Sequence, residues 1–187
     1  MRKIILATLV LFALSSCKKE TQKTDAETKP SDSLSATEKT GSESSAFVSP
    51  EISSEKLGQY LAKNNDTLYV TNFFATWCGP CMKEIPHFKN KMAELKGKPV
   101  KFTFVNLDEK SDWSGAVKKF ADENGLAHNI VLLDGKKLDH TFFAKNFKQW
   151  DGGSIPFTYM RKGNTTDEFL GMMTEETLNS KIASLLK

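Results

Sequence analysis

The sequence predicts an α/β fold, a central mixed β-sheet flanked by helices, and three observations carry that prediction. First, residues 68–74 form an apolar run rich in β-branched and aromatic side chains, which reads as a buried strand. Residues 82–95 then repeat Ile85, Phe88, Met92 and Leu95 at helical spacing. Second, Gly97 and Pro99 end that helix, and residues 100–105, with Phe102 and Phe104, read as another strand. A strand, a crossover helix and a second strand make a parallel pair. Third, residues 156–160 and about 166–170 flank Lys162-Gly163-Asn164, the pattern of an antiparallel hairpin. One sheet therefore holds both kinds of neighbour.

Taken in order, residues 1–16 read as an export signal. Met1-Arg2-Lys3 is a short basic start, and residues 4–14 are an apolar run too short to span a bilayer as a mature helix. The next residues, Leu14-Ser15-Ser16-Cys17, resemble the bacterial lipobox. That resemblance implies cleavage before Cys17, a diacylglyceryl thioether on its sulfur and a further acyl chain on its amine. Several acyl chains hold a protein on a membrane far more firmly than one. The alternative is a soluble periplasmic protein with an incidental cysteine. Residues 17–46 follow as the lipidated cysteine and a tether. From Lys18 to Ala46 there is no aromatic residue and Leu34 is the single leucine, so the stretch cannot bury enough apolar surface to offset its ordering entropy. A flexible chain of about 29 residues spans roughly 30 Å.

The domain then covers residues 47–187. Ser53 or Ser54 can cap a helix to about Lys63, with Leu57, Tyr60 and Leu61 inward, and Asn64-Asn65-Asp66 is a turn. After the first two strands, Ser111 or Asp112 can cap a helix over about residues 113–123, closed by Asn124-Gly125. Residues 130–133 are too short a run for a helix and read as a strand. Residues 137–147 carry Leu138, Phe142, Phe143 and Phe147 in a helical pattern leading to the Gly152-Gly153 turn. Thr174 caps a last helix to about Leu186, with Glu175-Glu176 in its first turn.

Composition narrows the function. A chain of 187 residues with 39% hydrophobic residues suffices for one domain with a core and something left over. The net charge of +3 falls to +1 once Arg2 and Lys3 are removed, and no basic block is interleaved with aromatics. No nucleic-acid partner is predicted. Three cysteines are present, and Cys17 has its use in the lipobox.

The other two, Cys78 and Cys81, sit where a strand gives way to a helix N-terminus. Unpaired backbone N–H groups and the helix dipole stabilise a thiolate there, and two cysteines at this spacing can close a small, exchangeable disulfide. Gly79 lets the chain turn tightly, and Pro80 suits an early helical position. Half of a zinc site is the first alternative, but zinc wants four ligands and no second cysteine pair exists. A purely structural disulfide is the second.

The residues Trp77-Cys78-Gly79-Pro80-Cys81, in this setting, resemble the active site of the thioredoxin family. The order of elements is similar to the thioredoxin fold, with a strand-helix insertion, about residues 108–147, between the βαβ half and the C-terminal hairpin. In that respect the chain is similar to TlpA-like thiol-disulfide oxidoreductases. The resemblance implies that Cys78 attacks a substrate disulfide and Cys81 resolves the mixed disulfide. It implies a cis peptide at Ile155-Pro156, facing the cysteines and offering the Ile155 backbone to an extended substrate. The alternative is an ordinary trans-proline opening an edge strand.

Asn72 stands where thioredoxins have a buried aspartate, a departure common among TlpA-like proteins. Many of those carry a glutamate where this chain has Glu84. A partly buried Glu84 could exchange the Cys81 proton near neutral pH; an exposed first-turn glutamate is the alternative. Pro86 matches the family's kink proline. Trp77 reads as a surface ring in contact with substrate or as packing, and His87 as a solvated histidine. Copper-delivery relatives need a CxxxC spacing, which is absent, and a thiol peroxidase would need an arginine beside a lone cysteine, whereas Arg161 lies elsewhere.

The resemblance thus implies an extracytoplasmic, membrane-tethered reductant of envelope proteins, with cytochrome c maturation as one setting. Its Cys78–Cys81 disulfide is the redox group and no separate cofactor is expected. An inner-membrane electron donor of the DsbD or CcdA kind would supply it, and the domain would act as a monomer in the periplasm or at the cell surface. The alternatives are a disulfide oxidant or isomerase, or a thioredoxin-like binding module with idle thiols.

Overall fold

In the computed structural model, residues 49–187 are described, so the export signal, Cys17, the tether and Phe47 lie outside the described residues. The sheet is built on β1 (Leu68–Phe74), buried along its whole length. β2 (Val100–Asn106) lies parallel beside it, pairing Leu68 with Val100 through to Phe74 with Asn106. β4 (Phe157–Lys162) lies antiparallel on its other side, pairing Tyr69 with Arg161 and Phe73 with Phe157. β3 (Ile130–Leu132) adds in parallel to β2, and β5 (Thr165–Leu170) closes the hairpin with β4. The order is β3-β2-β1-β4-β5, the mixed sheet that the sequence predicts.

Alternation along β1 divides its side chains between two cores. Val70 and Phe74 face α2 (Gly79–Glu94), whose Ile85 and Phe88 pack there with Val117, Ala121, Leu178 and Ile182. Phe73 faces the other way, into Leu57, Phe142, Phe147, Trp150 and Phe157. On that second face Trp150 stacks on Phe157 at 4.4 Å between ring centroids. Its indole N–H donates to Ser154 O at 2.8 Å, holding the loop that precedes Pro156.

Helix boundaries follow the caps. Ser53 accepts from Lys56 N–H and starts α1 (Ser54–Leu61), which ends two residues before the expected Lys63. Thr174 accepts from Thr177 N–H and starts α6 (Glu175–Leu186) as expected. Two expectations fail. Neither Ser111 nor Asp112 caps a helix; helical structure begins at α3 (Lys110–Asp112), passes through a π-helical turn (Trp113–Val117) and continues as α4 (Lys118–Asn124). Residues 137–147 are also not one helix. A 3-10 turn capped by Asp134 (Gly135–Lys137) precedes α5 (His140–Asn146), because the Asp139 carboxylate accepts from Phe142 N–H and sets a new start.

The insertion thus adds β3 to the sheet, and residues 50–52 run along its outer side. Leu132 N–H donates to Pro50 O and Ile52 N–H to Leu132 O, so this edge is not left bare. Gly152 has a φ of +86°, and a side chain there would collide with the Phe143 ring. Among the described residues no helix is long and apolar enough to cross a membrane.

Candidate active site

β1 ends at Phe74, and its carbonyl accepts from Leu107 N–H at 2.9 Å, so the two parallel strands finish together. The chain then turns through residues 75–78, closed by Cys78 N–H donating to Ala75 O at 3.1 Å. Cys78 becomes the N-cap of α2, with extended dihedrals, and Pro80 follows in the first turn. A helix N-terminus leaves N–H groups without intrahelical partners, and Cys78 Sγ takes one of them, from Cys81 N–H at 3.3 Å.

Cys78 and Cys81 are joined by a disulfide with their Cα atoms 5.2 Å apart. Cys78 is the more accessible of the two, at 5% against 0% for Cys81, although neither is broadly exposed. The peptide Ile155–Pro156 is cis, and Cys78 Sγ lies 3.8 Å from Ile155 O. The structure therefore brings Cys78, Cys81, Ile155 and Pro156 to one place, with Gly79 and Pro80 exposed beside them. Trp77 is 71% exposed, which removes the packing alternative for its ring.

One turn along α2 from Cys81, Glu84 belongs to a buried polar cluster. Glu84 is fully buried, so the exposed alternative fails. Its Oε1 accepts from Asn72 Nδ2 at 2.7 Å and its Oε2 from Met173 N–H at 2.7 Å. Burial pushes its pKa up to about 7, against the opposing pull of the Met173 and Asn72 donors and of His87. Asn72 also donates to Thr158 Oγ1 at 3.1 Å, while its own Oδ1 has no partner among the described residues. His87 is not the solvated histidine expected: it is half-buried, and its Nδ1 lies 3.0 Å from Met173 O as donor to that carbonyl. Glu84 and His87 thus hold one residue of the β5–α6 loop from both sides.

Sequence reasoning missed several neighbours. Thr158 faces Asn72 across the β1–β4 pairing, a position that follows from strand alternation once Pro156 is placed. Asp108, just beyond β2, is buried and bonded to Thr76, two residues before Cys78. A polar pair at the carboxyl end of a buried parallel strand, Asn106 and Asp108, is the signal that could have found it. Leu170 and Met172 are the other large apolar side chains exposed among the described residues. They flank Gly171, whose N–H donates to Pro156 O. Trp77 also borders an open groove of about 710 Å³ between residues 107–111 and 134–136.

Residues 39–160 match the Redoxin family. The chain is 30% identical over 148 residues to the thioredoxin-like protein YneN of Bacillus subtilis, covering 76% of this chain and 78% of that protein. It is 25% identical over 147 residues to the thiol-disulfide oxidoreductase ResA of Bacillus thuringiensis, covering 78% of each. Among solved structures, a thioredoxin-family thiol:disulfide interchange protein of Chlorobium tepidum superposes with a TM-score of 0.53. It is 19% identical and covers 70% of this chain and 85% of its own. A thioredoxin-related protein of Neisseria meningitidis gives 0.51 at 22% identity, with coverage of 66% and 87%. These two share the fold. With its cysteine pair at a helix N-terminus beside a cis-proline, the chain belongs to the Redoxin family as a TlpA-like thiol-disulfide oxidoreductase of thioredoxin fold.

Proposed function

We propose that the protein is an extracytoplasmic reductant, tethered to a membrane through Cys17, that reduces disulfides in envelope proteins. The carrying observation is the division of labour between the two sulfurs. Cys78 caps α2 against Cys81 N–H and adjoins the carbonyl before cis-Pro156, whereas Cys81 is fully enclosed.

In the reduced protein the Cys78 thiolate attacks one sulfur of a substrate disulfide. A Cys78–substrate bond forms, the substrate S–S bond breaks, and the departing thiolate takes a proton from water. Cys81 then gives its proton to Glu84, whose pKa of about 7 suits a base near neutral pH. Its thiolate attacks Cys78 Sγ and releases the second substrate thiol. Two electrons have passed to the substrate, and the Cys78–Cys81 disulfide remains. An inner-membrane dithiol donor of the DsbD or CcdA kind would return it to the reduced state.

Trp77, next to Cys78 in the chain, and Leu170 and Met172, on either side of the Gly171 that bonds Pro156 O, offer exposed apolar contacts. They suit an extended polypeptide whose backbone meets Ile155. The Gly-Pro pair between the cysteines supports the reducing direction, since thioredoxin lies near −270 mV and the oxidant DsbA near −120 mV.

Equilibration of the purified full-length protein with defined dithiothreitol or glutathione ratios tests the direction, with Cys78→Ser as control. A potential below about −250 mV is expected. A value above about −180 mV would replace this reading with an oxidant or isomerase. A pair that exchanges with neither couple would leave a binding module.

A further inference from the structure

One buried carboxylate has no part in the chemistry above. Asp108 is 1% exposed and lies beyond the end of β2, in the loop beside the turn that carries Cys78. Its Oδ2 accepts from Thr76 N–H at 2.8 Å, and its Oδ1 accepts from the Thr76 hydroxyl. One carboxylate therefore takes both donors of a single residue. Asn106 completes the bracket: its Nδ2 donates to Asp108 Oδ2 at 2.6 Å, and Asp108 N–H donates back to Asn106 Oδ1 at 3.2 Å. Asp108 O accepts from the Trp113 indole N–H at 3.0 Å, so the bracket is also anchored to the π-helical turn.

A buried carboxylate costs stability unless donors meet it, and here three do so, the Thr76 N–H, the Thr76 hydroxyl and the Asn106 amide. The turn it grips is otherwise short of constraints. Between Phe74 and Cys78 the backbone bonds leave Thr76 N–H without a backbone partner, and Trp77 projects into solvent.

We propose that Asp108 is a positioning residue for thiol-disulfide exchange: by clamping Thr76 it holds Cys78 at the α2 N-cap, where Cys81 N–H supports the thiolate. The inference rests on Cys78 being the reacting sulfur. The other titratable groups around this junction are Cys81, Glu84 and His87 on α2, Glu109 and Lys110 at the start of α3, and Asp134 and Lys136 across the groove beside Trp77.

The sign of one measurement separates this role from two others. A buried anion close to a thiolate disfavours it, so loss of the charge alone would lower the Cys78 pKa. Loss of the clamp lets Cys78 leave the N-cap and raises that pKa. A residue that only supports folding would change the melting temperature and leave the pKa of the folded protein where it was.

In the full-length reduced protein, iodoacetamide labelling of Cys78 against pH, read peptide by peptide by mass spectrometry, gives this pKa. Asp108→Asn is expected to raise it by about one unit. At a pH below both values the thiolate fraction then falls about tenfold while its nucleophilicity rises about threefold, so exchange slows about threefold there. Thr76→Val, which keeps the N–H bond and loses the hydroxyl, is expected in between, and Thr76→Ser recovers the parent values. An unchanged or lowered pKa in folded Asp108→Asn overturns the proposal. If that variant does not fold, Thr76→Val and Thr76→Ser decide it, and identical pKa values for the two overturn it. The labelling reads the thiol even in a protein that exchanges no disulfide, so a failure of the oxidoreductase reading stays distinguishable.

Discussion

Two buried carboxylates flank the reactive turn, and they are used differently. Glu84 lies on α2 one turn after Cys81, and its two oxygens receive one donor each, from Asn72 and Met173. Asp108 lies beside the turn, and its two oxygens receive three donors, two of them from one residue. A carboxylate with few donors in a desolvated site is close to balance between its charged and neutral forms. One that is held by a hydroxyl, an amide and a backbone N–H has its geometry fixed by them. The first arrangement suits proton exchange and the second suits holding a loop. Buried charge alone therefore does not tell a reacting carboxylate from an anchoring one; the donor set does.

The sharpest way to break the comparison is to remove the charge from Glu84. A folded-state pKa raised from 4.5 to about 7 means that the folded protein binds the extra proton between those values. The unfolded chain has already released it, so stability is fully present below about pH 4.5 and is lost as pH rises towards 7. The loss is about 3 kcal/mol at most. Urea unfolding of the oxidised protein at pH 5 and pH 8 is expected to show that fall, and Glu84→Gln is expected to flatten it. The substitution is accommodated because the Asn72 amide, turned through 180°, can offer its unpartnered Oδ1 to the new Nε2–H. A slope that survives in Glu84→Gln would assign the titration to another group and weaken Glu84 as the proton acceptor for Cys81.

How far the sequence reveals these sites follows from how local each signal is. The strand-to-helix junction, Cys78 and Cys81, and the hairpin lie in contiguous motifs whose residue types carry their own geometry, while the cis-proline follows from the family resemblance alone; each is found in place. Trp113, Trp150 and the phenylalanines of the insertion read as core from the sequence; Trp150, Phe142 and Phe147 are buried, while Trp113, Phe120 and Phe143 are half-buried. What the sequence hides is pairing at a distance. Glu84 meets Met173 across 89 residues and Asn72 meets Thr158 across 86, and no periodicity in one segment reports such contacts. His87 looked solvated for the same reason, because its partner is a backbone carbonyl in the β5–α6 loop. The misplaced helix starts at Lys110 and His140 have another cause. Several Asp and Ser residues compete to cap, and tertiary contacts select among them: Trp113 bonds Asp108 O, and Asp139 rather than Asp134 caps α5.

A smaller effect is expected from Asn72→Leu, and it sharpens the same contrast. Leucine removes the donor to Glu84 Oε1 and leaves that oxygen buried and unmet. An unsatisfied buried group costs about 1–3 kcal/mol, with the higher end for a charged one. Because the lost bond stabilises only the charged form, the Glu84 pKa moves further up. Stability is then lost over a window that extends to higher pH, so the total fall is larger. Urea unfolding is expected to give a loss of about 2 kcal/mol at pH 8, shrinking at pH 5, where Glu84 is protonated. A loss that is equal at both values would mean that Asn72 supports the fold by packing and hardly touches the ionisation of Glu84.

The smallest effect on stability is expected outside both clusters, at Trp77. Its ring is 71% exposed and follows Thr76, so Asp108 holds the backbone of the turn and leaves the side chain free to meet a partner. Substitutions at such surface positions change stability by about 0.5 kcal/mol or less. An aromatic ring buried on binding, however, contributes through the apolar area it loses to water. Trp77→Ala is therefore expected to leave the melting temperature and the reduction of a small-molecule disulfide unchanged. The KM for an unfolded protein disulfide is expected to rise about fivefold, or about 1 kcal/mol of binding. Equal effects on the small and the large substrate would place the ring in the chemistry at Cys78. No effect on either would remove Trp77 from the substrate surface and leave Leu170 and Met172 as its apolar part.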